Sequence, residues 1–161
     1  MNLGKNSVES ELIQQEDILK ITVVNRYQEA PVAVGYINGF GLTKGAIASS
    51  VAHDSHNIIA VGTNDEDLCK AVNLLIENKG GLSTVSTKDA KVLPLPIAGL
   101  MSPLTCEKVG DQYEKIDALA KSFGTTLKAP FMTLSFMALL VIPEIKISDK
   151  GMFDAESFRF Y

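Results

Sequence analysis

Apolar residues recur at helical spacing in two stretches of this chain, and almost everywhere else they come in short, β-branched runs closed by glycine, asparagine or proline. That contrast sets the fold class. A 3.6-residue period buries one stripe of a helix, whereas a short β-branched run suits a pleated surface. The first helical stretch follows Thr63 and Asn64, either of which can cap it. Asp65, Glu66 and Asp67 fill its first turn, where negative charge suits the helix dipole. Leu68, Ala71, Val72, Leu75 and Ile76 then fall on one face, and Gly80-Gly81 ends the run. The second stretch begins near Pro103 or Leu104, repeats through Val109, Tyr113, Ile116, Ala120 and Phe123, and stops at Gly124.

Strands are predicted over residues 18–24, 31–37, 46–52 and 58–61, as a pair over 82–86 and 90–95, over 144–148, and as a terminal edge strand over 157–161. The apolar run 131–142 suits burial on all sides, and its period leaves helix and strand both open. Residues 12–17 read as a short helical turn. Residues 1–17 read as an N-terminal extension to one domain over 18–161. Paired strands, two firm helices and no regular βαβ rhythm predict an α+β domain, a mixed β-sheet with helices packed on it.

Composition narrows the function. A chain of 161 residues with 46% apolar content can bury a core without a disulfide or metal staple. A net charge of −4 with no basic block argues against a nucleic-acid-binding face. Cys69 and Cys106 lie far apart with no CxxC spacing, which predicts two reduced thiols in a cytoplasmic protein. The polar, acidic start does not read as a signal peptide, and the run 129–142 carries Thr133 and Ser135 and is too short to cross a bilayer. No membrane partner is therefore expected.

Both histidines of the chain fall in His53-Asp54-Ser55-His56-Asn57, between two apolar segments. In an extended conformation they point to opposite faces; in a strand-end turn both imidazoles converge on one cleft. Imidazole moves protons near neutral pH, and a carboxylate beside it fixes its tautomer. His53, Asp54 and His56 are thus the catalytic candidates, with Asp54 expected within hydrogen-bond reach of one ring. Ser55, Asn57 and Arg26 are the candidate substrate contacts, and Arg26 can pair with Asp54 or with a ligand anion. The competing reading is a turn whose Asp and Asn side chains bond nearby backbone amides. Two histidines do not make a metal site, so no metal is assigned to this chain. GxSxG, Walker and GxGxxG motifs are absent, and the glycines of 39–45 (GFGLTKG) read as a sharp bend. The proline-broken segment 93–102 (LPLPIAGLMS) reads as a rigid extended loop that serves core, site or interface.

Three blocks in this order, GFGLTKGAIASSVAHDSHNIIAVGTNDEDL, LPLPIAGLMS and PFMTLSFMALLVIPEIKISDKGMFD, closely resemble the carboxy-terminal domain of bacterial adenine deaminase. The resemblance covers about residues 18–161. Two local departures are Lys79 in Lys79-Gly80-Gly81, where the family more often has three glycines, and Leu140, where it tends to have proline. The family is an amidohydrolase that converts adenine to hypoxanthine and ammonia. The resemblance implies a manganese- or iron-binding (β/α)₈ barrel upstream or separate from this domain. It implies an isolated carboxy-terminal piece or stand-alone relative, inactive by itself, in which His53, Asp54 and His56 face the barrel mouth. The alternatives are a structural or oligomerisation module, or a stand-alone small-molecule-binding domain. Segments 93–101 and 131–142 are the candidate apolar faces for the barrel or for a homodimer.

Overall fold

The computed structural model describes residues 16–161, so most of the predicted N-terminal extension and the first part of the helical turn at 12–17 lie outside the described residues. Six β-branched or small-residue runs form the main sheet. They are β1 (Ile18–Val24), β2 (Ala33–Asn38), β3 (Ala46–Ser49), β4 (Ile58–Gly62), β5 (Gly81–Val85) and β6 (Ala90–Pro94), in the order β2-β1-β4-β3-β5-β6. The α+β class is as predicted. Within the sheet every adjacent pair is antiparallel, a narrower arrangement than the mixed sheet expected. The reason lies in one crossover. α1 (Asp65–Glu77) carries the chain from β4 to β5, which run in the same direction, and β3 fills the gap between them running the other way.

Period-two alternation divides the sheet into two packed faces. Ala46, Ala48, Ile58 and Ala60 meet Leu68, Ala71, Val72 and Leu75 of α1. Small residues on this face let the helix sit close. A Cβ on Gly62 would stand 2.6 Å from the Ala46 Cβ and 3.0 Å from Leu68 Cγ. Asn64 caps α1: its side chain accepts from the Asp67 N–H at 2.8 Å and donates to the Asp67 carboxylate at 2.8 Å. On the opposite face Leu19, Ile21, Val23, Ile47, Ile59 and Val61 form the larger core. It is closed by Ile116 and Ala120 of α2 (Cys106–Lys121), by Phe123, and by Phe131 and Leu134 of α3 (Pro130–Phe136). Each fully buried aliphatic side chain here contributes about 2 kcal/mol of transfer free energy.

The ambiguous run resolves as helix only as far as Phe136, with Pro130 in the first turn, where a missing N–H costs nothing. A second sheet, β7 (Ile145–Ser148), β8 (Gly151–Asp154) and β9 (Arg159–Phe160), packs on β2. β8 is an addition to the sequence reading: GMFD is short and has no turn-to-turn alternation to mark it. Met152 lies over Gly35, where a Cβ would stand 2.5 Å from its sulfur. The glycine bend at 39–45 closes on Asp17, whose carboxylate accepts the Gly39 and Gly41 N–H groups at 2.9 and 2.7 Å. No helix among the described residues is long and apolar enough to cross a membrane.

Strand order also gathers loops. Val24 pairs with Ile58, so Asn25, Arg26 and Tyr27 leave β1 beside the segment that enters β4. Ser49 pairs with Leu82 and Gly81 with Pro94, which brings the end of β3, the start of β5 and the loop after β6 to the same end of the sheet.

Candidate functional site

At that end the His53–Ser55 segment turns rather than running extended, and the His56 N–H closes it on the Ala52 carbonyl at 2.7 Å. The two imidazoles converge, as the turn reading requires. Their centroids are 5.8 Å apart with the rings edge to face, and His53 lies 5.6 Å from the Phe136 ring. Both histidines are half-buried. The Nδ1 atom of His56 is enclosed and has no hydrogen-bond partner.

The backbone of the turn is held from β1. His56 has φ +53°, a left-handed conformation that costs a non-glycine residue about 1–2 kcal/mol. The Arg26 N–H donates to Asn57 Oδ1 at 3.1 Å, and Arg26 Nη1 donates to the His56 carbonyl at 3.1 Å. Arg26 Nη2 reaches the Ala98 carbonyl at 2.8 Å, tying the turn to the proline-broken loop. The Tyr27 hydroxyl donates to the Ser55 carbonyl at 2.8 Å. Ser50 fastens the loop from below: its hydroxyl donates to the Gly99 carbonyl at 2.6 Å and accepts the Gly81 N–H at 2.7 Å.

Asp54 departs from expectation. Among the described residues it makes neither a hydrogen bond nor an ion pair with an imidazole or with Arg26; the ion pairs there are Lys20–Asp65 and Lys121–Asp117. The cause is the turn itself, which leaves Asp54 exposed while the His53 ring packs between His56 and Phe136. Asp54 and Ser55 instead line a cleft of about 270 Å³ with Leu140, Val141, Lys150 and Phe160. Asn57 is buried at 2% exposure, and its amide is used within the protein, accepting from Arg26 and donating to Ser55 Oγ at 3.3 Å.

The sequence matches the family described as adenine deaminase C-terminal domain over residues 2–159. The chain belongs to that family. Among curated relatives, an adenine deaminase of Sulfurovum sp. is 60% identical over 146 residues, which is 90% of this chain and 27% of that protein. An adenine deaminase of Methanosarcina mazei is 54% identical over 91% of this chain and 26% of its own length, and one of Borreliella afzelii is 54% identical over 90% and 27%. The chain thus spans about a quarter of the length of these relatives.

Among the described residues no three His, Cys, Asp or Glu side chains come together. Two imidazoles with no converging carboxylate do not fit manganese or iron, which favour oxygen-rich or mixed His/carboxylate sets. Cys69 and Cys106 are exposed and free. Sequence reasoning missed Phe136, Tyr27, Ser50 and Gly99. Phe136 lay in a run whose period was silent, and Gly99 lay in a segment marked only as rigid. Tyr27 and Ser50 carried no signal, because their role comes from strand pairing alone.

Proposed function

We propose that this domain forms a wall of the substrate site in an adenine deaminase, with the His53–His56 turn facing a catalytic barrel that lies upstream or on a separate chain. The observation that carries this reading is the pair of half-buried imidazoles, His53 set between His56 and Phe136, bordered by exposed apolar side chains. Met132 lies one turn from Phe136 on α3, Val141 shares the cleft with Asp54, and Met101 leaves the loop that Arg26 holds; all three are exposed. Histidines set in an apolar border suit a purine, which offers a flat face for stacking and ring nitrogens that accept or donate protons.

In the overall reaction water adds at C6 of adenine and ammonia leaves, giving hypoxanthine. Manganese or iron would be held by the barrel and would supply the activation of that water. His53 and His56 exchange hydrogen bonds and protons with the purine edge, Asp54 and Ser55 meet its rim, and Arg26 and Asn57 support the turn. The 161-residue chain supplied with Mn²⁺ or Fe²⁺ accordingly releases no ammonia from adenine. The deciding experiment places His53→Ala and His56→Gln in a full-length adenine deaminase carrying this domain. Folded variants with kcat/KM lowered about tenfold or more support the reading. Activity lost only together with the fold assigns the turn a structural role.

A second reading, a module that pairs with its own copy, is favoured by a different surface. α1 covers β3, β4 and β5, and among the described residues no helix covers the same face of β1 and β2. An apolar groove of about 460 Å³ runs there, and Val32, Val34 and Ile76 are exposed along it. The two readings are compatible, because the groove and the histidine turn use different residues. The reading also places the protein in the cytoplasm, where exposed thiols stay reduced.

A further inference from the structure

We propose that Arg26 is the positioning residue of the histidine turn, setting the His56 ring by holding the His56 carbonyl with its guanidinium and the Asn57 side chain with its main-chain N–H. The sequence offers Arg26 as a ligand contact or as the partner of Asp54; the geometry assigns it differently. Its main-chain N–H is taken by the Asn57 side chain, and its guanidinium reaches the carbonyls of His56 and Ala98. His56 and Ala98 are both non-glycine residues in the left-handed region, with φ +53° and +56°. Neither conformation continues a strand or helix, so the carbonyls they present need a donor from elsewhere. A planar guanidinium has several donors in a fixed fork and serves two carbonyls on different loops; a lysine ammonium is a point donor on a shorter, differently shaped stem.

The opposite side of the fork is shaped by Gly99. A Cβ there would stand 2.1 Å from Nη1 and 2.5 Å from Cζ, so any side chain displaces the guanidinium. The Tyr27 ring lies 5.6 Å from Cζ and supports it by a cation–π contact. No carboxylate neutralises Arg26 among the described ion pairs, so its donors are directed to backbone. His53 has an independent neighbour in Phe136, whereas His56 has an unpartnered Nδ1 and a strained backbone that Arg26 holds. The two rings therefore depend on different supports. That their arrangement matters to turnover rests on the proposed substrate-site role; that Arg26 sets it does not.

The test uses the 161-residue chain and nuclear Overhauser cross-peaks between aromatic rings. In Arg26→Lys and in Gly99→Ala the His53–Phe136 cross-peaks persist and the His53–His56 cross-peaks vanish. Free guanidinium ion restores the latter in Arg26→Ala. Both sets intact in Arg26→Lys and Gly99→Ala overturn the proposal. So does disappearance of both sets together, which marks Arg26 as a general stabiliser. A full-length adenine deaminase bearing Arg26→Lys gives the kinetic arm, with a fall in kcat/KM matching that of His56→Gln. Unchanged kinetics in a variant whose His53–His56 cross-peaks have vanished upholds the positioning role and removes the substrate-site reading instead.

Discussion

Lys79 adopts φ +60° just past Asn78, the C-cap of α1, ahead of Gly80 at +113° and Gly81 at +139°. The chain makes its exit from the helix here, with the Lys79 N–H on the Ile76 carbonyl at 3.1 Å and the Gly80 N–H on the Leu75 carbonyl at 2.7 Å. Glycine is indispensable at 81, where a Cβ would stand 2.1 Å from the Leu93 carbonyl oxygen. At 79 a side chain fits and the cost is conformational, about 1–2 kcal/mol. Lys79→Gly relieves that strain and gives back part of it through a freer unfolded chain. The net expectation is a gain of about 0.5–1 kcal/mol, read as a higher urea midpoint at unchanged slope. A midpoint that falls places the unfolded-state term above the strain. The sequence marked the two glycines as a stop, and the departure at Lys79 was visible beside the family pattern. That Lys79 is itself left-handed follows from the loop geometry, since a polar residue after a helix has no obligatory conformation.

At the scale of elements, α2 illustrates how packing alters a side chain's chemistry. Tyr113 lies on the inner stripe of α2 with its ring centroid 6.3 Å from Phe131. Burial against that core pushes its phenol above the ordinary value of 10.0, and the Asp117 carboxylate one turn on pushes it the same way. A phenol whose folded value is raised stabilises the fold fully below its unfolded value and loses that contribution as pH rises through the folded value. Unfolding midpoints should therefore decline as pH rises above the ordinary phenol value of about 10, and Tyr113→Phe should flatten that decline. An equal decline in the variant assigns the alkaline loss to other groups. Helix α2 itself was legible because its apolar period is long and its stop is a glycine. α3 was not, because Phe131 and Leu134 face the core while Met132 and Phe136 face outward, within a run where nearly every residue is apolar. The same mixture corrects the expected interface segments: Leu93 and Leu95 are core, whereas Ile97 and Met101 are exposed.

For the whole molecule, the consequence is two apolar surfaces with different neighbours. The histidine end carries Ile97, Met101, Met132 and Val141, and the groove over β1 and β2 is lined by exposed Val32, Val34 and Ile76. Among the described residues β2 is also an edge strand of the main sheet, paired on one side only, with β1. The proposed self-association uses this second surface as a two-fold pair, the commonest homo-oligomer, and a specific interface there should bury more than about 1,000 Å². Sedimentation of the 161-residue chain at micromolar concentration should show a dimer that Val34→Lys converts to monomer. A monomer before any substitution removes the pairing.

The sequence by itself determined the α+β class, the cap and stop of α1, the apolar stripe of α2, most of the strand segments, and the concentration of both histidines in one polar turn. These are consequences of local physics: periodicity, capping and glycine punctuation act between residues near in the chain. Only the tertiary structure decided which groups meet that turn. Arg26 arrives because Val24 pairs with Ile58, and Phe136 arrives because α3 packs on the sheet beneath His53. Ser50 and Gly99 arrive because β3, β5 and β6 are neighbours. Asp54 is adjacent to His53 in sequence yet exposed in the fold, while Arg26, thirty positions from His56, bonds its carbonyl at 3.1 Å. Strand order converts separation along the chain into contact, and no local pattern encodes it.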